Sequence, residues 1–214
     1  MFLSLYRVFI LNFLFYLIIG VNFISTKAYC NLKVALFGDS LMSGYGLDEE
    51  FHLSNVLEKN LKKKGFDVTI INASVSGDTT SGGLNRLRWL LENKKIDIVI
   101  LCLGANDMLR GINTYLIKQN LNNILEILRE KNIKILLAGM LSQETYGNQY
   151  KNNFDEIYPE LANKHKVAFI PFLLEGVALN PNLNLDDGKH PNPKGVKLIS
   201  KNLEKQLIMS LIHI

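Results

Sequence analysis

Cysteine is scarce in this chain, with only Cys30 and Cys102 among 214 residues. Cys102 sits inside an apolar run that reads as a strand, so no disulfide between the two is expected, even in an oxidising compartment. An excess of one charge is also lacking: 24 basic residues stand against 20 acidic ones. Setting aside residues 1–28, with Arg7 and Lys27, leaves 22 basic residues against 20 acidic, close to neutral. That balance argues against a nucleic-acid partner, and no Lys/Arg stripe interleaved with aromatics is present. Lys62-Lys63-Lys64 before Gly65 reads more simply as the basic last turn of a helix. There is no internal repeat, linker or second domain. What remains, 48% hydrophobic and 21% charged, is the composition of one globular domain with a proper core.

Residues 1–28 lack acid altogether. Arg7 precedes an apolar stretch from Val8 to Ile24, broken only by Asn12, Gly20 and Asn22. Thr26-Lys27-Ala28 then places small residues at the −3 and −1 positions of a cleavage site, the pattern of a secretory signal peptide ahead of a domain at 29–214. The rival expectation is an uncleaved anchor, since the run approaches the lower limit for a spanning helix. Cys30 raises lipid attachment, but Lys27-Ala28-Tyr29 is a poor lead-in to a lipidated cysteine.

From Leu32 onward short apolar runs alternate with helical periodicity. Leu32 to Phe37 predicts a buried strand. Leu53, Val56, Leu57 and Leu61 repeat at helical spacing up to Gly65. Phe66 to Ile71 predicts a second strand, and Leu84, Leu87, Trp89, Leu90 and Leu91 a helix. Ile96 to Leu103 is almost wholly apolar and predicts a central strand covered on both faces. A long amphipathic helix through Leu116, Leu121, Ile124, Leu125 and Leu128 leads to a strand at Ile133 to Ala138. A further helix, Gln149 to Lys164, is interrupted late by Pro159, and Val167 to Ile170 is a short fifth strand. Pro171 to Pro193 has no period. Asn192-Pro193 then reads as a helix start, with Asn as N-cap and Pro at the first position. Five strands alternating with helices predict one α/β domain with a doubly wound parallel sheet.

Three polar, glycine-bearing loops follow predicted strand ends and should meet at one rim of the sheet. The first holds Gly38-Asp39-Ser40, the second Ser76-Gly77-Asp78, the third Gly104-Ala105-Asn106-Asp107. Near the C-terminus, Asp187-Gly188-Lys189-His190 puts a carboxylate three residues before an imidazole. A serine is a weak nucleophile without an adjacent base; His190 could take the Ser40 proton while Asp187 holds the imidazole. Gly77 could offer a backbone N–H and Asn106 a side-chain amide. Plainer readings stand beside each of these. Gly-Asp-Ser can be a β-to-α turn with a capping side chain, Gly77 a tight-turn residue, and His190 a turn residue beside Pro191. Asn106 and Asp107 can both form Asx turns, and Asp187 with His190 is too thin a set for a metal. His52 reads as a surface or capping residue, and His165 as a solvated or dipole-facing one.

The four blocks Gly38-Asp39-Ser40-Leu41, Ser76-Gly77-Asp78-Thr79, Gly104-Ala105-Asn106-Asp107 and Asp187-x-x-His190 resemble those of the GDSL/SGNH hydrolase family. The likeness is nearest to the bacterial periplasmic thioesterase, lysophospholipase and arylesterase type, and runs from about Leu32 to Leu207. It extends to Asn72-Ala73-Ser74, Leu109-Arg110-Gly111 and Tyr146-Gly147. The resemblance implies a flavodoxin-like three-layer α/β/α fold with a five-stranded parallel sheet. It implies Ser40 as nucleophile, His190 as base, Asp187 as its partner, and an oxyanion hole from the Ser40 and Gly77 N–H groups and Asn106. It implies no cofactor and no metal. The serine is expected on a loose loop, unlike the strained Gly-x-Ser-x-Gly elbow of α/β-hydrolases. Asp39, Leu41, Leu109 and Tyr146 are the expected substrate-binding residues. Met42, Tyr45, Leu141, Leu183 and Leu185 could join the two leucines and Tyr146 in an acyl groove, or could equally pack the loops onto the domain.

The function expected is a serine esterase cleaving ester or thioester bonds of acyl substrates through an acyl-enzyme. The alternatives are a carbohydrate esterase or deacetylase of the same fold, or a non-catalytic binding domain. The expected partner is a small-molecule or lipid acyl ester, reached in part from a membrane surface, by a monomer. The leader implies a periplasmic or secreted protein, or an anchored one if it is retained.

Overall fold

The computed structural model describes residues 31–209. The expected leader or anchor at 1–28, Cys30 and His213 lie outside the described residues. Five strands form one sheet: β1 (Leu32–Gly38), β2 (Val68–Asn72), β3 (Ile98–Cys102), β4 (Lys134–Ala138) and β5 (Ala168–Ile170). Their order is β2-β1-β3-β4-β5, and every pairing is parallel. The two central strands are the most apolar. All five residues of β3 and Val34 to Phe37 of β1 are buried, as a strand covered on both faces requires.

Parallel neighbours need crossover helices. These are α2 (Leu53–Lys63) between β1 and β2, α3 (Thr80–Asn93) between β2 and β3, and α5 (Thr114–Glu130) between β3 and β4. The last crossover is made by α6 (Asn148–Asp155) and α7 (Ile157–His165), and α8 (Pro193–Leu207) closes the chain. Two short helices, α1 (Ser40–Ser43) and α4 (Ala105–Leu109), sit directly after β1 and β3. α2 packs on α8, while α5 packs on α3 and α7, giving the two helical layers of an α/β/α sandwich.

The strand order fixes where a ligand can go. β1 connects outward to β2 on one side, and β3 connects to β4 on the other, so the connections diverge between the carboxyl ends of β1 and β3. Open α/β sheets bind ligands at such a switch point. Gly38 pairs in register with Cys102, so Ser40 and Asn106 leave the sheet from adjacent strand ends.

Several boundaries differ from expectation for identifiable reasons. β2 starts at Val68 rather than Phe66, because the Phe66 N–H turns back to the Leu61 carbonyl at 3.2 Å and closes the end of α2. The helix expected from Gln149 to Lys164 is two helices, broken at Glu156 rather than at Pro159. The proline ring bears on the carbonyl four residues earlier, Asp155, and that is where the helix stops. His165 is not solvated: it is 4% exposed, with Nε2 2.9 Å from Asn122 Oδ1, and burial lowers its pKa. Trp89 lies on the outer side of α3, exposed. Asn192 caps α8 as expected, its Oδ1 accepting from Lys194 and Gly195 N–H, with Pro193 in the first position.

Candidate active site

Gly38 ends β1 where no side chain fits. A Cβ there would meet Met42 Sδ at 2.6 Å and the Cys102 carbonyl at 2.7 Å. Asp39 follows in extended conformation, and its Oδ1 accepts the Leu41 N–H at 3.0 Å. Its carbonyl takes the Met42 and Ser43 N–H groups. That cap folds Ser40–Ser43 into a helical turn, so the serine opens α1 instead of lying on a loose loop. Among the described residues, the cap leaves the Ser40 N–H without an acceptor.

Ser40 Oγ lies 2.9 Å from His190 Nε2, and His190 Nδ1 lies 2.5 Å from Asp187 Oδ2. Asp187 Oδ1 accepts the His190 and Lys189 N–H groups at 2.9 and 2.8 Å. These bonds, the His190 N–H first, pull the Asp187 carboxyl down to about 2, so it stays ionised at any ordinary pH. The half-exposed Tyr45 ring sits against the imidazole, centroids 4.4 Å apart.

The loop carrying Asp187 and His190 has no periodic signal, yet side chains fasten it. Asn184 is buried and donates to the Val177 and Asn180 carbonyls, each at 2.8 Å. Asn192 Nδ2 donates to the Asn182 and Asn184 carbonyls, and Leu185 N–H to the His190 carbonyl at 2.7 Å.

Asn106 is tied to the serine loop through Asp39. Its Nδ2 donates to Asp39 Oδ2 at 3.2 Å. Asp39 itself is 1% exposed, and burial pushes its carboxyl up to about 6 despite the two donors. Expected at the substrate surface, Asp39 is instead buried beneath the loop, with its carboxylate committed to the Leu41 N–H and Asn106 Nδ2. Leu41 and Met42 are buried too, packed under the loop. Leu109 and Leu141 are exposed at the rim, and Tyr146 is half-buried. Tyr150, 5.6 Å from Tyr146 between ring centroids, donates its hydroxyl to the Ile112 carbonyl and so joins the Tyr146 segment to the loop after α4.

Gly77 stands on an exposed turn with φ +80°, its carbonyl accepting from Arg110 Nη2 at 2.9 Å. Among the described residues no acceptor takes its N–H. Asp107, by contrast, is buried and accepts from Thr80 N–H and Oγ at 2.8 and 2.7 Å, joining α4 to the start of α3. Arg86 donates to Asp78 Oδ2 and to the Ala73 and Gly38 carbonyls, and lies over the Phe37 ring. Neither residue's role had a local sequence signal beyond its charge. Among the described residues no cluster of three His, Cys, Asp or Glu side chains could hold a metal ion.

The arrangement can move a proton from a serine hydroxyl to an imidazole braced by a carboxylate, beside unoccupied N–H donors. Comparison with known proteins points the same way. The pattern of the GDSL-like lipase/acylhydrolase family matches residues 36–198. The chain is 36% identical to an arylesterase of Vibrio mimicus, over 88% of this chain and 94% of that one. It is 36% identical to thioesterase 1/protease 1/lysophospholipase L1 of Escherichia coli K12, over 80% and 81% of the two chains. The crystal structure of AlinE4, an SGNH-hydrolase family esterase, superposes with a TM-score of 0.72 at 40% identity, covering 85% of this chain and 97% of that one.

Proposed function

The chain belongs to the GDSL-like lipase/acylhydrolase family, and from that membership and the Ser40 site we propose that it hydrolyses carboxylic esters and thioesters of acyl groups through an acyl-enzyme. The observation that carries the proposal is the chain of contacts from Ser40 Oγ through His190 to Asp187.

In the first step Ser40 Oγ attacks the substrate carbonyl carbon as its proton passes to His190 Nε2. The tetrahedral intermediate collapses, the leaving alcohol or thiol takes that proton, and the acyl group stays on Ser40. Water then attacks the acyl carbonyl, giving its proton to His190; the acid departs and Ser40 recovers its hydrogen. Asp187 remains an anion throughout and stabilises the imidazolium. The negative oxygen of each intermediate is received by the Ser40 and Gly77 N–H groups and Asn106 Nδ2; a donor of this kind lowers the barrier when it is in place before charge develops. The exposed Leu109 and Leu141 and the half-buried Tyr146 support contact with the acyl chain and approach to lipid esters at a membrane surface. The acid-free, apolar composition of residues 1–28 supports an export leader and hence a periplasmic or secreted site of action.

Labelling with an organophosphonate tests the nucleophile, since Ser40→Ala should abolish both the adduct and turnover. An adduct surviving in that variant would remove Ser40 from the role. Short and long p-nitrophenyl esters, a lysophospholipid and an acetylated sugar assayed side by side set the substrate class. Turnover confined to the acetylated sugar would make the protein a carbohydrate esterase, and no turnover a binding domain. Mass spectrometry of the mature N-terminus decides whether the leader is removed.

A further inference from the structure

Gly77 is the third residue of an exposed turn, Val75 to Asp78, closed by the Asp78 N–H to the Val75 carbonyl at 3.1 Å. A Cβ on Gly77 would find nothing within 4 Å, and both Ser76 and Gly77 are exposed, so little side-chain packing steadies the tip of the turn. The ends of the turn are fixed elsewhere. Val75 N–H bonds the Gly38 carbonyl at 3.0 Å, and Arg86 binds Asp78. The tip has two bonds of its own, one on each side. Ser43 Oγ lies 2.8 Å from Ser76 Oγ, and Ser43 ends α1, the helix that Ser40 opens. Arg110 Nη2 donates to the Gly77 carbonyl at 2.9 Å, and Arg110 directly follows α4, its N–H bonded to the Asn106 carbonyl at 3.2 Å.

We infer that Ser43 and Arg110 are positioning residues that hold the Ser76–Gly77 peptide between the helix of the nucleophile and the helix of Asn106. The reasoning rests on Gly77 and Asn106 as the oxyanion donors. An oxyanion donor acts only if it is in place before charge develops, and an exposed glycine turn does not stay in place by itself. The positive φ of Gly77 sets the direction of the N–H, and the two side chains set its position. Each bond reaches the turn from a different catalytic element, so together they fix the three donors relative to one another. Neither side chain needs to touch the substrate. Their loss therefore appears in the chemical step and not in binding.

The experiment is steady-state hydrolysis of p-nitrophenyl butyrate by the wild type, Ser43→Ala, Ser43→Thr, Arg110→Ala, Arg110→Lys and the Ser43→Ala/Arg110→Ala double variant, with thermal midpoints measured in parallel. Loosening a donor rather than deleting it should lower kcat about 10-fold in each alanine variant and about 100-fold in the double variant, with KM within about twofold. Ser43→Thr and Arg110→Lys keep a hydrogen-bonding group at each place and should recover most of the loss. Thermal midpoints should not move, since both residues lie at the surface of the site. A double variant with wild-type kcat, or a kcat loss that tracks a falling midpoint and that Thr and Lys do not restore, overturns the inference. If the wild type itself gives no turnover and no Ser40 adduct, the esterase reading falls with it. If Ser40→Ala abolishes turnover while the double variant behaves as wild type, only the positioning roles fall.

Discussion

The role proposed for Gly77 lies in its backbone. Its φ of +80° is open to glycine and costs an alanine about 1 kcal/mol, although no neighbour would obstruct the added methyl. Relaxing to negative φ would turn the Ser76–Gly77 peptide over and withdraw the N–H. Gly77→Ala should therefore lower kcat about 100-fold, the usual loss for one oxyanion donor, with little change in melting temperature. An unchanged kcat in steady-state assays would remove Gly77 from the hole. Asp39 makes the opposite trade. Its pKa is raised from 3.8 to about 6 by burial, so its contribution favours the folded state at low pH and is lost as pH rises through about 6. Above that pH the buried carboxylate costs at most about 3 kcal/mol. Asp39→Asn should flatten the dependence of melting temperature on pH between 4 and 7 and raise stability at pH 8. It should also lower kcat, because an amide at this position sets its NH2 against that of Asn106 and turns the Asn106 side chain over. Equal activity in the variant would show that Asp39 does not orient Asn106.

Between β3 and α4 the chain has to turn sharply inside the core, and Gly104 is where it does so. Its φ is +119°, and a Cβ would meet the buried Tyr158 hydroxyl at 2.3 Å. That hydroxyl is already committed to the Leu103 carbonyl at 3.0 Å. Gly104→Ala should cost about 2–4 kcal/mol through overpacking and strain, and should lower kcat as α4 and Asn106 shift. Adding Tyr158→Phe should restore part of the melting temperature; no restoration would locate the strain in the backbone alone. At this scale much was legible in the chain. The basic turn before Gly65 and the Asn192-Pro193 start marked real helix ends, because capping chemistry is local. The break between α6 and α7 was misplaced, since a proline acts on the carbonyl four residues before it.

Across the whole molecule, stability rests on a parallel sheet whose central strands are sealed on both faces. Cys102 lies in β3, fully buried, and desolvation pushes its thiol well above the ordinary range, with the nearby Asp39 carboxylate adding to the effect. A thiol in that state is protonated and inaccessible. Alkylation followed by peptide mapping across a urea series should modify Cys102 only as activity is lost. Modification of the fully active enzyme would mean that the sheet opens locally at β3.

The sequence by itself determined the kinds of element, their order along the chain, and the residue types at strand ends, since periodicity and end chemistry are properties of neighbours. It also carried Ser40, Gly77, Asn106, Asp187 and His190 as a recognisable set. Only the tertiary structure decided that β1 lies between β2 and β3, and so that Ser40 and Asn106 emerge side by side. It alone brought Ser40 to His190 across 150 positions, buried Asp39 and Leu41 under the serine loop, and recruited Ser43, Arg86, Arg110 and Asn184. The physical reason is that periodicity records which face of an element is covered but not by what. A polar side chain that fastens one loop to another leaves no period at all, because its partner is a backbone carbonyl that every residue possesses.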